Sequence, residues 1–240
     1  STGSPFYGFS GSRYGFSARP ELPLNEERLE AYRVRLTALP EILAQGKSNI
    51  IVDDAKHDLA LLEQESVDIV FAPSVEEMYP AGYSTYVDVE GITSRLEGKQ
   101  RPEHFRGVAT VVAKLFTIVR PDRSYFGQKD GQQLVVVRRL ARDLNLCTEV
   151  VAVPTVREPD GLALSSRNAY LTPEQRRAAP VIYQSLCQAK EQWVNGERDA
   201  ESLRQTVRVV LEQESMIEQI DYISLSDATT LSELETVEEH

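Results

Sequence analysis

Apolar residues recur along this chain with two periods. Leu29, Tyr32, Leu36, Leu39 and Leu43 fall at helical spacing and predict an amphipathic helix over about 25–45. A short strand at Asn49–Val52 and a helix from about Asp54 to Gln64 follow. The run VDIVFAP (67–73) reads as a buried strand ending at a turn, and TYVDV (85–89) alternates as a strand does. Val108, Val111, Val112, Leu115 and Phe116 mark a helix from His104 to Val119, closed by Pro121. Ser124–Phe126 is a short strand, Gln132–Leu144 a helix and CTEVVAVPT (147–155) another strand. Helices and strands that alternate in this way predict an α/β domain with a parallel sheet.

Beyond about Val156 the pattern changes to long helices, 173–194 and 199–214, then a strand at Ile220–Leu225. A second, smaller α+β domain is expected there. VPTVREPDG, with two prolines and a glycine, marks the boundary, giving domains 1–156 and 157–240. The first twenty residues, STGSPFYGFSGSRYGFSARP, hold no period and read as an irregular leader.

Composition sharpens the class. A hydrophobic share of 41% and a charged share of 26% over 240 residues are ordinary for a globular protein with a real core. No run approaches the roughly 18 apolar residues of a membrane helix. The N-terminus lacks the regions of a secretory signal, so a cytoplasmic protein is expected. Cys147 and Cys187 match no zinc or redox spacing and read as buried, inert thiols. The net charge of −11 argues against nucleic acid as a partner. That charge is uneven. Arg95–Arg142 holds 11 Lys and Arg against 4 Asp and Glu, while Glu191–His240 holds 3 against 13. A positive window in an acidic chain suits a small anionic ligand, unless it merely pairs with the acidic tail.

Three stretches carry chemistry. FGQKDGQQ (126–133) joins a strand to a helix start, where α/β sheets bind ligands. Gly127 permits close backbone approach and Lys129 offers a compact cation to a phosphate. Asp130 stands where an N-cap would, so capping is its alternative role. Gln132 and Gln133 can each give a donor and an acceptor to a hydroxy acid. The spacing is not that of a P-loop. In PTVREPDGLALSSRNAYL (154–171), Ser165, Ser166 and Arg167 can hold a polyphosphate, or Arg167 can simply pair with Asp160. In RPEHFRGVATVV (101–112), Arg101, His104 and Arg106 crowd a helix N-terminus against its dipole, a conflict typical of functional positions. His104 is a candidate acid, base or phosphate contact, or a structural histidine.

RPEHFRGVATVVAKLF, RSYFGQKDGQQL and VPTVREPDGLALSSRNAYL, with VDIVFAPSVEEMYP ahead of them, resemble the pantothenate synthetase (pantoate–β-alanine ligase) family from about His57 to about Leu231. The resemblance implies a Rossmann-like nucleotidyltransferase parallel sheet, a smaller C-terminal domain and a homodimer. It implies ATP- and Mg2+-dependent joining of pantoate to β-alanine through a pantoyl adenylate, releasing AMP and pyrophosphate. By the same likeness Gly127, Gln128, Lys129, Asp130, Val156, Leu164, Ser165, Ser166 and Arg167 contact ATP. Gln133 and Arg101 are expected on the substrate side. Lys129, Arg167, Ser165 and Ser166 are expected to stabilise the charge of the transition state, with no protein nucleophile or dedicated protein metal ligand.

The family's HxGH signature is not in this chain, whose histidines are His57, His104 and His240. An NPTQF-like segment with the first pantoate glutamine is not found either, and the last strand of the family is expected to lie past the C-terminus. A fragment of a synthetase, a divergent member and a relative that binds nucleotide or pantoate without turnover are the three expectations that follow. A nucleotidyltransferase using CTP fits the glutamine pair poorly.

Overall fold

The computed structural model describes residues 73–238 together with Ala60, Val70 and Phe71. The leader, the 25–45 helix, the strand at 49–52 and the helix at 54–64 lie outside the described residues, as does most of the 67–73 strand. Contacts divide the chain into two compact units, Ser1–Thr85 and Tyr86–His240.

In the first unit, Val75–Met78 forms a single helical turn, α1. Ser74 starts it with a capping box, its Oγ accepting from the Glu77 N–H while the Glu77 carboxylate accepts from the Ser74 N–H. Tyr79 and Tyr83 meet edge to face with centroids 5.0 Å apart.

The second unit begins with an extended segment where a strand was expected at 85–89. Val87 and Val89 do turn inward, and Val89 is buried. The segment makes no ladder with any described strand. Its Val87 N–H donates instead to Thr110 Oγ1 at 3.0 Å. The alternation was real, but a strand also needs a backbone partner.

A short helix α2 (Glu97–Gln100) leads into α3 (His104–Val119), strand β1 (Arg123–Gly127), a 3-10 turn at Gln128–Asp130, helix α4 (Gly131–Asp143) and strand β2 (Glu149–Val153). β1 and β2 pair in parallel, Arg123 opposite Glu149 and Gly127 opposite Val153. α3 ends in a left-handed Arg120 just before Pro121. α4 ends at a left-handed Asn145, with the Leu146 N–H reaching back to the Ala141 carbonyl.

One face of each helix drives this packing. Phe105, Ala109, Val112 and Phe116 of α3 meet Val136, Val137, Leu140 and Ala141 of α4 in one buried cluster. Phe126 of β1 closes on Phe116 edge to face at 6.4 Å. Leu231, from the far end of the chain, also packs into this cluster.

Past β2 come α5 (Pro173–Ala178), α6 (Val181–Val194) and α7 (Ala200–Glu212). The expected single helix over 173–194 is two helices, because Pro180 has no N–H to continue the ladder. α5 starts from a Thr172–Gln175 capping box with Pro173 at its first position. Ala189, Val207 and Leu211 form a second cluster, covered by Ile217, Ile220 and Ile223. The strand expected at 220–225 does not form. Its isoleucines serve that cluster from an irregular segment, and nearby pairing is limited to the isolated bridges Ser226–Glu233 and Asp199–Thr236. Cys147 and Cys187 are free thiols as expected, but both are exposed. Cys147 sits in the turn before β2 and Cys187 on the outer face of α6.

Candidate active site

The parallel pairing of β1 and β2 puts their carboxyl ends side by side, with Gly127 opposite Val153. FGQKDGQQ leaves one end and VPTVREPDG the other. Ligands of open α/β sheets bind at such carboxyl ends. A cleft of about 270 Å³ lies here, lined by Glu97, His104, Phe105, Lys129, Asp130, Gly131, Gln132, Gln133, Arg167 and Tyr222.

The turn after β1 supplies Lys129 and Asp130. Asp130 is the residue before α4, yet its side chain makes no capping bond. It lies 3.5 Å from Lys129 Nζ instead, with both groups open to solvent. The capping alternative is therefore not what the structure shows. Gln133 faces the cleft, and its amide has no hydrogen-bond partner among the described residues. Gln132, one residue earlier, is fully engaged. Its Nε2 donates to the carbonyls of Ile92 and Arg95 at 2.9 and 2.8 Å, and its Oε1 accepts from the Glu97 N–H at 3.1 Å.

Arg167 enters from the second loop. The Leu164 N–H donates to the Val156 carbonyl, and the Glu158 N–H to that of Leu162, closing a tight turn. Arg157 steadies it, donating to the Gly161 carbonyl while stacking 3.8 Å above the Tyr183 ring. The turn delivers Ser165, whose Oγ accepts from the Arg167 N–H at the start of the 3-10 turn Ser166–Tyr170. Asp160 pairs with Arg176, so Arg167 is not its partner.

The cations crowded at the start of α3 are sorted by their neighbours. Arg101 pairs with Glu97 at 3.4 Å. Arg106 turns to Asp88 and Glu103, at 3.4 and 3.6 Å, and lies over the Tyr86 ring. His104 alone faces the cleft. Burial and the nearby Arg101 guanidinium hold its imidazole below the ordinary 6.5, outweighing Glu97. A neutral imidazole at a helix N-terminus no longer opposes the dipole. Burial, with Glu97 and Asp221, pushes the Tyr222 hydroxyl up, keeping it a donor.

Lys129, Asp130, Gln133, Arg167 and His104 thus share one cleft. Gly127, Gln128, Arg101, Val156, Leu164 and Ser165 do not line it. Arg101 stands behind Glu97, while Val156 and Leu164 adjoin each other as exposed apolar side chains, 61% and 50% accessible. Glu97, Phe105 and Tyr222 were not singled out from the sequence. Glu97 has a local signal in its spacing to Arg101, but Tyr222 arrives only through the tertiary fold. A second cavity, about 340 Å³ between α6 and α7, is walled almost wholly by apolar groups such as Leu186, Trp193 and Val207 and gathers no comparable charged set.

The sequence pattern of the pantoate-beta-alanine ligase family matches residues 53–240. Pantothenate synthetase from Chloroflexus aurantiacus is 60% identical over 184 residues, 77% of this chain and 65% of that protein. The crystal structure of pantothenate synthetase from Thermus thermophilus superposes with a TM-score of 0.73 at 49% identity, covering 76% of this chain and 66% of that one. Pantoate-beta-alanine ligase from Francisella tularensis, solved with beta-gamma ATP and beta-alanine, gives a TM-score of 0.54 at 35% identity over 65% of this chain and 58% of that one. The chain spans about two thirds of the length of the curated relatives it matches. Its helices and parallel strands are those of a Rossmann-like nucleotidyltransferase fold, and the chain belongs to the pantoate–β-alanine ligase family of enzymes.

Proposed function

We propose that this protein joins pantoate to β-alanine at the expense of ATP, with the cleft at the end of β1 as its nucleotide and pantoate site. The observation that carries this is the meeting of Lys129, Gln133 and Arg167, from two separate loops, in one cleft. In the first step a pantoate carboxylate oxygen attacks the α-phosphorus, the bond to the β-phosphate bridge breaks and pyrophosphate leaves. Charge builds on the phosphate oxygens, where Lys129 and the Arg167 guanidinium, which has no ion-pair partner among the described residues, would stabilise it. The Ser165 hydroxyl, whose oxygen is already an acceptor, keeps its proton free to donate. Ser166 takes the matching role by family likeness, and Gly127 and Gln128 bring backbone close to the phosphates. In the second step the β-alanine amine attacks the acyl carbon and AMP departs, so positioning and water exclusion matter most.

Gln133 holds the pantoate hydroxyl or carboxylate, because its amide is the uncommitted one of the pair. Arg101 acts on the substrate side through Glu97. The exposed Val156 and Leu164 offer an apolar surface for the adenine. Magnesium arrives on the nucleotide. The two carboxylates of the cleft lie 3.5 and 3.4 Å from cationic partners, so phosphate oxygens would supply most of its ligands. By the same family likeness the protein works as a cytoplasmic homodimer, and its second domain begins at about 157. The separate apolar cluster of α6 and α7 supports that boundary. No helix among the described residues is long and apolar enough to cross a membrane.

A second function, binding of nucleotide or pantoate without turnover, is favoured by one observation: none of His57, His104 and His240 stands in an HxGH. Incubation of the full chain with ATP, pantoate and β-alanine separates the two. Equal amounts of AMP and pantothenate support the ligase. Saturable ATP binding with no AMP supports the binder.

A further inference from the structure

The cleft has two principal walls. One is the turn and helix start Lys129–Gln133, and the other is the segment Glu97–Phe105. They come from chain about 30 residues apart in sequence, and Gln132 is the side chain that joins them. Its amide makes three bonds, one to the first residue of the opposite wall, the Glu97 N–H, and two to the carbonyls of Ile92 and Arg95 in the chain that leads into that wall, all between 2.8 and 3.1 Å. Both functions of the amide are used, the nitrogen twice and the oxygen once.

The segment it grips is closely built. Ile92–Ser94 is a 3-10 turn, Thr93 Oγ1 donates to the Val89 carbonyl, and Leu96 adopts a left-handed φ of 47°. A Cβ at Gly98 would sit 1.9 Å from the Thr93 carbonyl oxygen, so no larger residue fits there. What the segment delivers to the cleft is Glu97, with Arg101 paired to it, and both act on the His104 imidazole.

We infer that Gln132 is a positioning residue whose amide fixes the spacing between the two walls of the cleft, so that Glu97 and His104 face Lys129 and Gln133. Adjacent residues on a helix point about 100° apart. The glutamine pair is thereby divided, one amide turned to the opposite wall and one to the ligand. The effect on ligand affinity rests on the function proposed above, while the tie itself does not.

Gln132→Met keeps the length and volume of the side chain and removes all three bonds. Native-state hydrogen exchange is read at the Glu97 amide, and ATP affinity is measured by calorimetry on the full chain. Loss of a net stabilising bond of this kind predicts Glu97 exchange faster by about tenfold, and ATP binding weaker by about tenfold, with the α4 amides of Val136–Leu140 unchanged. Gln133→Met, the neighbouring control, leaves Glu97 exchange untouched. If Gln132→Met does not fold, Gln132→Asn withdraws the amide by one methylene and is read the same way. Unchanged Glu97 exchange overturns the tie. Faster Glu97 exchange with unaltered ATP affinity overturns its control of the cleft, leaving a structural role alone. If the unsubstituted chain binds no ATP, the proposed function fails, and Glu97 exchange still decides the tie.

Discussion

Asp160 is held by Arg176 and not by Arg167, although Arg167 lies nearer in sequence. The pairing lowers the Asp160 carboxyl from its ordinary value, through the bond from Arg176 and that from the Leu162 N–H. It leaves the Arg167 guanidinium without an ion-pair partner among the described residues, at the edge of the cleft. Arg167→Ala is therefore expected to weaken ATP binding by about tenfold or more, since a charge-assisted phosphate contact is lost. Its unfolding midpoint should hardly move. Arg176→Ala should show little change in either, as an exposed pair contributes little to stability. Calorimetric titration and thermal unfolding of both variants check this.

Lys129 and Gln133 divide the work of one turn. Lys129→Ala should weaken ATP binding, and Gln133→Ala should mainly weaken pantoate binding, each by roughly one order of magnitude, the value of one or two lost polar contacts. Equilibrium dialysis with labelled ATP and labelled pantoate reads both. Unchanged pantoate affinity in Gln133→Ala would show that its free amide serves another ligand.

His104 gives the cleft a pH dependence with a definite sign. Its folded-state value lies below the ordinary 6.5. Between that value and 6.5 the unfolded chain binds more protons than the native one. Its contribution to stability is present above 6.5 and is lost as pH falls through the folded-state value. A bound triphosphate reverses the bias, because a nearby anion favours imidazolium. Titration of the His104 ring by NMR should give a midpoint below 6.5 in the free protein and a higher one with ATP. A free-protein midpoint at or above 6.5 contradicts the geometry.

Thr110 takes the place of a missing strand partner. Its buried Oγ1 accepts from the Val87 N–H at 3.0 Å and donates to the Arg106 carbonyl at 2.7 Å. Thr110→Val keeps the shape and leaves the Val87 N–H unpaired, at a cost of about 1–3 kcal/mol. Urea unfolding of the variant should show that loss with an unchanged slope.

Much of this was legible in the chain. Helical spacing located α3, α4 and α7 to within a residue or two, because each hides one apolar stripe. Gln133 and Lys129 could be named because strand, turn and helix start followed one another in sequence. The misreadings share a cause. The segments at 85–89 and 220–225 carry the apolar residues of strands, but they spend them on a helix pair or a turn with no backbone ladder to join. The break at Pro180 is written in the sequence, where the apolar period runs on across it while the backbone cannot. By side-chain chemistry Gln132 and Gln133 are equivalent and only the family resemblance singles out Gln133; the three hydrogen bonds of Gln132 with 92–97 supply the physical reason. Tyr222 reaches the cleft only through the tertiary fold, which no local pattern encodes, whereas Glu97 carries a local signal in its spacing to Arg101.

Pantoate-dependent exchange of labelled pyrophosphate into ATP tests the central claim most directly, because it reports adenylate formation without needing β-alanine. Exchange by the full chain that requires pantoate, and that falls sharply in Lys129→Ala, is the predicted result. No exchange above background from a folded chain that still binds ATP would contradict the ligase function and leave a nucleotide-binding relative in its place.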